Sequence, residues 1–268
     1  MDTARIAELL DPFFRAPVGS SSQFDHSEAA KGGVQSKALS IAQLQHISTY
    51  IDILRRWNAR INLTAIRDPE AIVTRHFGES LFAARHLFPA GHVVHDAEAV
   101  DGETASPTVR GGSPALQGRV MNREKIGALA PGVTAVADVG SGAGFPGLPL
   151  KLWAPHVALT LIESNHKKAI FLREVTRALT LTDVNIQNSR AEALARSSFD
   201  IVTLRAVERF EAVLATAARL VTPSGRLALL ISSAQEHLAY STLPRLNWST
   251  PIPIPQSRSR ILLVGQNK

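Results

Sequence analysis

Two hydrophobic periodicities divide the chain. Ile41, Leu44, Ile47, Ile51, Leu54, Trp57 and Ile61 recur at steps of three and four, which places them on one stripe of a helix. Ser40 sits where an N-cap belongs, and Arg55, Arg56 and Arg60 lie off the stripe. Asp68-Pro69 restarts a second helix, since proline suits a first turn whose N–H has no helical partner. Val73, Phe77, Leu81, Ala84 and Phe88 form its expected buried face, while Arg75, His76, Glu79 and Ser80 are expected to point elsewhere. Residues 40–89 therefore read as a helical cap. From residue 135 short apolar runs take over, at 135–139, 159–163, 184–188, 200–204, 226–231 and 260–265. Helical stretches around 146–154, 166–180 and 208–221 separate them. Apolar strands alternating with helices predict a doubly wound α/β domain over 135–268, with a mostly parallel sheet. Its last strands follow without an obvious crossover helix, which predicts an antiparallel edge.

Two segments carry neither period. Residues 1–39 contain a short apolar stretch and then GSSSQFDHSEAAKGGVQSK, and read as a flexible N-terminal extension. Residues 90–134 include GETASPTVRGGSPALQG and read as a surface insertion, disordered rather than folded, because such a length is unusual for a loop within a compact domain.

Composition narrows the setting. At 268 residues with 45% hydrophobic and 19% charged positions, the chain is large enough for a full core and one or two domains. No apolar run approaches the ~20 residues that span a bilayer. The opening MDTARIAELLDPFFR has acids where a signal peptide carries positive charge. Cysteine is absent, which excludes disulfide scaffolds, thiolate zinc sites and cysteine nucleophiles, and the expected compartment is cytoplasmic. A net charge of +6 suits a polyanionic partner, and the tail after Glu236 holds Arg245, Arg258, Arg260 and Lys268 with no acid.

The sharpest local signal is VADVGSGAGFPG at 136–147, which follows a strand and opens a helix. Glycine lets the backbone approach a ligand closely, and Gly142, Gly144 and Gly147 fit the spacing of a dinucleotide fingerprint. Glu163 ends the next strand, where a carboxylate takes ribose hydroxyls. On spacing alone a nicotinamide dinucleotide and S-adenosylmethionine both fit. Asp138 just before the turn favours a cationic ligand over a pyrophosphate, and Pro146 removes one N–H that a pyrophosphate would use.

The run VADVGSGAGFPGLPLKL, followed by LIESNHKKAIFLREV and NSRAEAL, resembles the bacterial small-subunit ribosomal RNA guanine-N7 methyltransferases, also called glucose-inhibited division protein B. The likeness extends to WNARINLTAIRDPEAIVTRHFGESL and FDIVTLRAV, covering about residues 40–89 and 135–232. It implies a seven-stranded, Rossmann-like class I methyltransferase fold, S-adenosyl-L-methionine as cofactor, and 16S ribosomal RNA or the small subunit as partner. A monomer is expected, with neither a metal nor a membrane as partner. Carried over residue by residue, Gly140, Gly142 and Gly144 line the methionine side of the cofactor, with Asp138, Ser141 and Phe145 in the same run. Glu163 holds the ribose, and Ala191-Glu192 lies against the adenine. Arg190 and Arg205 match family arginines near cofactor and RNA, and His76 falls in the family's R-H-x-x-D/E-S pattern. Guanine N7 carries a lone pair and no proton, so its methylation needs alignment rather than a base. An arginine on O6 leaves N7 free, which points to Arg205.

Other residues keep two readings. His76, Glu79 and Ser80 either contact RNA or form a helix-surface pairing, with Glu79 bridging Arg75. One histidine beside one acid is too few ligands for a metal. Trp57 reads as core, Asn62 as a turn or cap, and Asp200 as structural. Arg55, Arg56, Arg60, Arg67, Lys167 and Lys168 form either a phosphate-binding face or a solvated one. After LALLI the family usually presents Lys-Gly, whereas this chain has Ser232-Ser233. Two other functions stay open at this point: a nicotinamide-dependent oxidoreductase using the same turn, and a non-catalytic RNA- or ribosome-binding protein that kept the fold.

Overall fold

The computed structural model describes residues 1–15, 39–89, 132–205 and 210–267. Residues 16–38 and 90–131, the start of the helix expected at 208, and Lys268 lie outside the described residues. Residues 3–15, expected as part of a loose extension, instead form helix α1 (Thr3–Arg15). Ile6, Leu10, Phe13 and Phe14 give it a buried face at helical spacing, and they join the main core.

Helix α2 (Ile41–Asn58) starts as its sequence dictates. Ser40 Oγ accepts the Gln43 N–H at 3.2 Å, and Gln43 Oε1 accepts the Ser40 N–H at 2.8 Å, a reciprocal capping box. Ile47, Ile51 and Leu54 are buried as the stripe predicts, but Ile41 is 73% exposed because the first turn overhangs the core. The turn after α2 is held by Asn58, not Asn62. Asn58 Oδ1 accepts the N–H groups of Leu63 and Thr64 at 2.9 and 3.0 Å, and its Nδ2 donates to Thr64 O, while Asn62 is exposed. Asp68 caps α3 (Pro69–Ile72), which runs through a π turn (Val73–Gly78) into α4 (Glu79–Leu87). Nearly all of α4 is buried, so His76, Glu79 and Ser80 are covered where a one-sided helix would expose them. The π turn and α4 lie between α1 on one side and the α/β domain on the other.

The α/β domain holds β1 (Ala135–Val139), α5 (Gly147–Trp153), β2 (Ala158–Ile162), α6 (His166–Ala178) and β3 (Val184–Gln187). A 3-10 turn (Ala191–Ala193) leads to β4 (Phe199–Arg205), α7 (Phe210–Leu220) and β5 (Val221–Ser232). After α8 (Glu236–Thr242) come β6 (Asn247–Trp248), β7 (Ile252–Pro253) and β8 (Arg260–Gln266). One sheet runs in the order β3-β2-β1-β4-β5-β8-β6, with β7 also on β8. The first five strands pair in parallel, and β8 is antiparallel to β5. The sheet thus has the expected seven positions, the last shared by two two-residue strands on the free edge of β8. Strand residues alternate between two cores. Val136, Leu159, Leu161, Ile201 and Leu230 pack towards α1, α2 and α4–α6. Ala137, Val139, Val202, Leu204 and Leu229 pack towards α7 and α8. Asp200 secures the start of β1 by accepting the Ala135 N–H at 2.8 Å. No helix of the described residues is long and apolar enough to cross a membrane.

Candidate active site

Strand order reverses between β1 and β4, and a ligand crevice is expected beyond the carboxyl ends of the strands at such a switch point. A cleft of about 900 Å³ opens there. Its wall includes Gly140, Ser141, Gly142 and Phe145 after β1, Glu163 after β2, Arg190, Ala191 and Glu192 after β3, and Arg205 at the end of β4. Thr64 and His76 from the helical segment close it from above. Ten of the expected site residues therefore share one cavity, drawn from segments more than a hundred positions apart.

The glycine turn is bound down on every side. The N–H groups of Gly140 and Ser141 donate to Ile162 O at 2.9 and 3.1 Å, and that of Gly144 donates to Ser141 O. Gly142 N–H donates to Glu163 Oε2 at 2.9 Å, and Gly147 N–H to Asp138 Oδ2 at 3.1 Å. These five donors are no longer available to a pyrophosphate, and a buried carboxylate stands at the start of α5. The donor set therefore does not fit a dinucleotide. Gly144 has φ +84°, and a Cβ there would run into the Tyr50 hydroxyl and Leu148. Tyr50 Oη donates to Ala143 O at 2.5 Å, and its ring stacks on Phe145 at 5.3 Å. Phe145 in turn stacks on His76 at 4.7 Å. This column of rings seats the turn directly on α2 and the π turn.

Asp138 and Gly144 do not line the cleft; they lie behind it. Asp138 Oδ1 accepts the Thr203 hydroxyl at 2.9 Å while Oδ2 holds Gly147. Burial pushes its carboxyl up to about 7, against the pull of these hydrogen bonds and of Arg205. Glu163 is buried at the cleft wall, with Oε1 accepting the Asn165 N–H at 2.7 Å. A glycine turn with its amides satisfied, beside a carboxylate that accepts donors, fits the ribose and cationic methionine portion of S-adenosylmethionine.

Arg205 is almost fully covered. Its Nη2 donates to Glu79 Oε2 at 2.9 Å and to Arg75 O at 2.5 Å, while Nη1 meets His76 Nδ1 at 3.0 Å. Its Nε is buried without a partner. Both terminal nitrogens are thus engaged within the protein, where the sequence suggested a bond to the base. Glu79 also lies 3.5 Å from Arg260 Nη2, so its salt bridges link it to arginines of β4 and β8, not to Arg75. Arg260 is the register partner of Ser232, so an arginine stands beside the position where the family resemblance leads one to expect lysine. Burial, with Arg205, Arg75 and Arg260 nearby, pushes His76 down to about 3. It is therefore a neutral imidazole at neutral pH, which orders neighbours and carries no charge.

Sequence reasoning missed Thr64, Asn58 and Arg260 as parts of this assembly. Only the W-N-x-x-x-N-L-T run signalled the first two, and nothing local signalled the third. Arg55, Arg56, Arg60, Arg67 and Lys167 are exposed and Lys168 is half-buried at the cleft. Among the described residues, no three His, Cys, Asp or Glu side chains group as a metal site.

Residues 43–96 and 122–244 match a family model described as GidB, rRNA small subunit methyltransferase G. The chain is 32% identical over 236 residues to the ribosomal RNA small subunit methyltransferase G of Xanthomonas axonopodis pv. citri, covering 86% of this chain and 90% of that protein. Proteins of the same name from Xanthomonas oryzae pv. oryzae and Stenotrophomonas maltophilia are each 32% identical, over 221 and 228 residues. Those matches cover 82% and 83% of this chain, and 83% and 86% of the relatives.

Proposed function

Since the chain belongs to the GidB family, rRNA small subunit methyltransferase G, we propose that it methylates a guanine N7 of 16S ribosomal RNA with S-adenosylmethionine. The observation that carries this reading is the cleft at the sheet's switch point, whose glycine turn has its amides satisfied and whose wall presents a buried carboxylate. Glu163 would hold the ribose, the turn residues Gly140–Ala143 the methionine portion, and Ala191-Glu192 the adenine side. The cofactor supplies an electrophilic methyl group on a sulfonium. The chain's own residues bind and align the base, because N7 offers a free lone pair and no proton has to be removed from it. Arg190 is exposed at the rim, where its planar fork suits a phosphate. Arg205 and His76 act as positioning residues under the base. We place the enzyme in the cytoplasm, as a monomer acting on the RNA or the small subunit. Exposed Arg55, Arg56, Arg60 and Arg67 supply the cationic face that a polyanion needs.

The test is a map of N7-methylguanine in 16S rRNA from strains with and without the gene, paired with tritiated methyl transfer to subunits from the deleted strain. Loss of one modified position in the deletion strain and its restoration in vitro are expected. An unchanged map with no incorporation would overturn the reading.

A further inference from the structure

Thr64 ends the W-N-x-x-x-N-L-T run and has no role in the chemistry described so far. It is half-buried and lines the cleft. Its Oγ1 stands 2.8 Å from His76 Nε2 and 3.1 Å from the Ile66 amide nitrogen. The direction of the first bond follows from the other side of the imidazole. Arg205 Nη1 lies 3.0 Å from His76 Nδ1, and a guanidinium only donates, so Nδ1 offers its lone pair. A neutral imidazole has a single N–H, which is therefore on Nε2 and donates to Thr64 Oγ1. The low pKa of His76 keeps that tautomer uncharged at neutral pH. Ile66 N–H occupies the second lone pair of the hydroxyl. What remains on Thr64 is its O–H proton, which meets no acceptor among the described residues.

We propose that Thr64 is a donor of fixed polarity that reads the target base, giving its proton to O6 of a purine and unable to accept from an amino group there. The inference rests on the guanine-methylation reading and names the residue that selects the base. Guanine presents O6 beside N7, whereas adenine presents N6–H2 at the same place. An ordinary threonine turns its hydroxyl to serve either group. With both lone pairs taken, this one serves only the acceptor. Donation runs one way, from Arg205 to His76 to Thr64 to the base, and leaves N7 open to the methyl group. Arg205 sets the polarity from behind without touching the base.

The experiment is a double-mutant cycle between the hydroxyl and O6. Wild type, T64V and T64S are assayed on small subunits reconstituted with guanine or 2-aminopurine, which lacks O6, at the target position. T64V is expected to lower kcat/KM on guanine roughly 10- to 100-fold, with S-adenosylhomocysteine affinity unchanged and thermal stability lowered, because the His76 and Ile66 N–H groups lose their acceptor. T64S is expected to recover most of the loss. On 2-aminopurine wild type should fall by a similar factor, and T64V should lose nothing further. Equal rates for T64V and wild type on guanine, or penalties that multiply across the cycle, overturn the inference alone. No methyl transfer by wild type to the guanine subunit overturns the functional reading and the inference with it.

Discussion

Asp138 makes stability depend on pH in an unusual direction. Its carboxyl is 1% exposed and titrates near 7 instead of 3.8, chiefly because burial penalises the charge. Between those values the unfolded chain has released the proton and the folded protein still holds it, so stability falls as pH rises. The contribution is fully present below 3.8 and is lost as pH passes through about 7. A slope of ~1.4 kcal/mol per pH unit across that gap amounts to on the order of 4 kcal/mol. The substitution D138N imitates the protonated acid. Its amide oxygen still accepts Gly147 N–H, and its amide nitrogen donates to Thr203 Oγ1, whose own proton turns to Ala137 O at 3.3 Å. Urea unfolding of both proteins followed by tryptophan fluorescence at pH 5 and pH 8 measures the effect. Relative to wild type, D138N should gain about 3 kcal/mol between the two. Comparing the proteins is essential, because His76 and His86, pushed down to about 3 and about 4, give each single curve the opposite slope. A stability difference constant within about 0.5 kcal/mol over this range would refute the reasoning.

Two further outcomes follow from packing and hydrogen bonding. In E163Q an amide N–H2 must face either the Gly142 or the Asn165 N–H, so calorimetric affinity for S-adenosylhomocysteine should fall roughly 10- to 100-fold. Unchanged affinity would remove the carboxylate from the cofactor site. Phe13 is 1% exposed with its ring against Gly78, so F13A should cost ~3–5 kcal/mol in urea unfolding. A cost below ~1 kcal/mol would show that α1 contributes little to the core.

The central strands are legible in the sequence because burial on both faces leaves uninterrupted apolar runs, and AVADV at 135–139 is a strand to the residue. β5 begins five positions before its apolar run, because Val221 pairs with Phe199 of β4 while Thr222–Gly225 fall in the register shift before Arg226 pairs with Ile201. The apolar face of α1 is visible in Ile6, Leu10 and Phe13, but the Ser/Gly run after it draws the whole segment into a loose reading. At the site, Glu163 is legible since its position after a strand is local information. The orientation of Asp138 is not, because Thr203 lies 65 positions away. Periodicity also sorts residues by polarity alone, so it assigns His76 and Glu79 to a solvent face. Their cover comes from Arg205, 129 and 126 positions further along.

The π turn at Val73–Gly78 has its consequence in chain length. A π turn accommodates one residue more than an α turn, and removing that residue would let the helix run on in α form. The residues on either side would then rotate against each other by about 100°. Val73 belongs to the core, whereas His76 and Glu79 both meet the guanidinium of Arg205, and no single rotation preserves both sets of contacts. A one-residue deletion in this segment would therefore disengage the cleft from the helices that roof it, even with every side chain that contacts Arg205 retained.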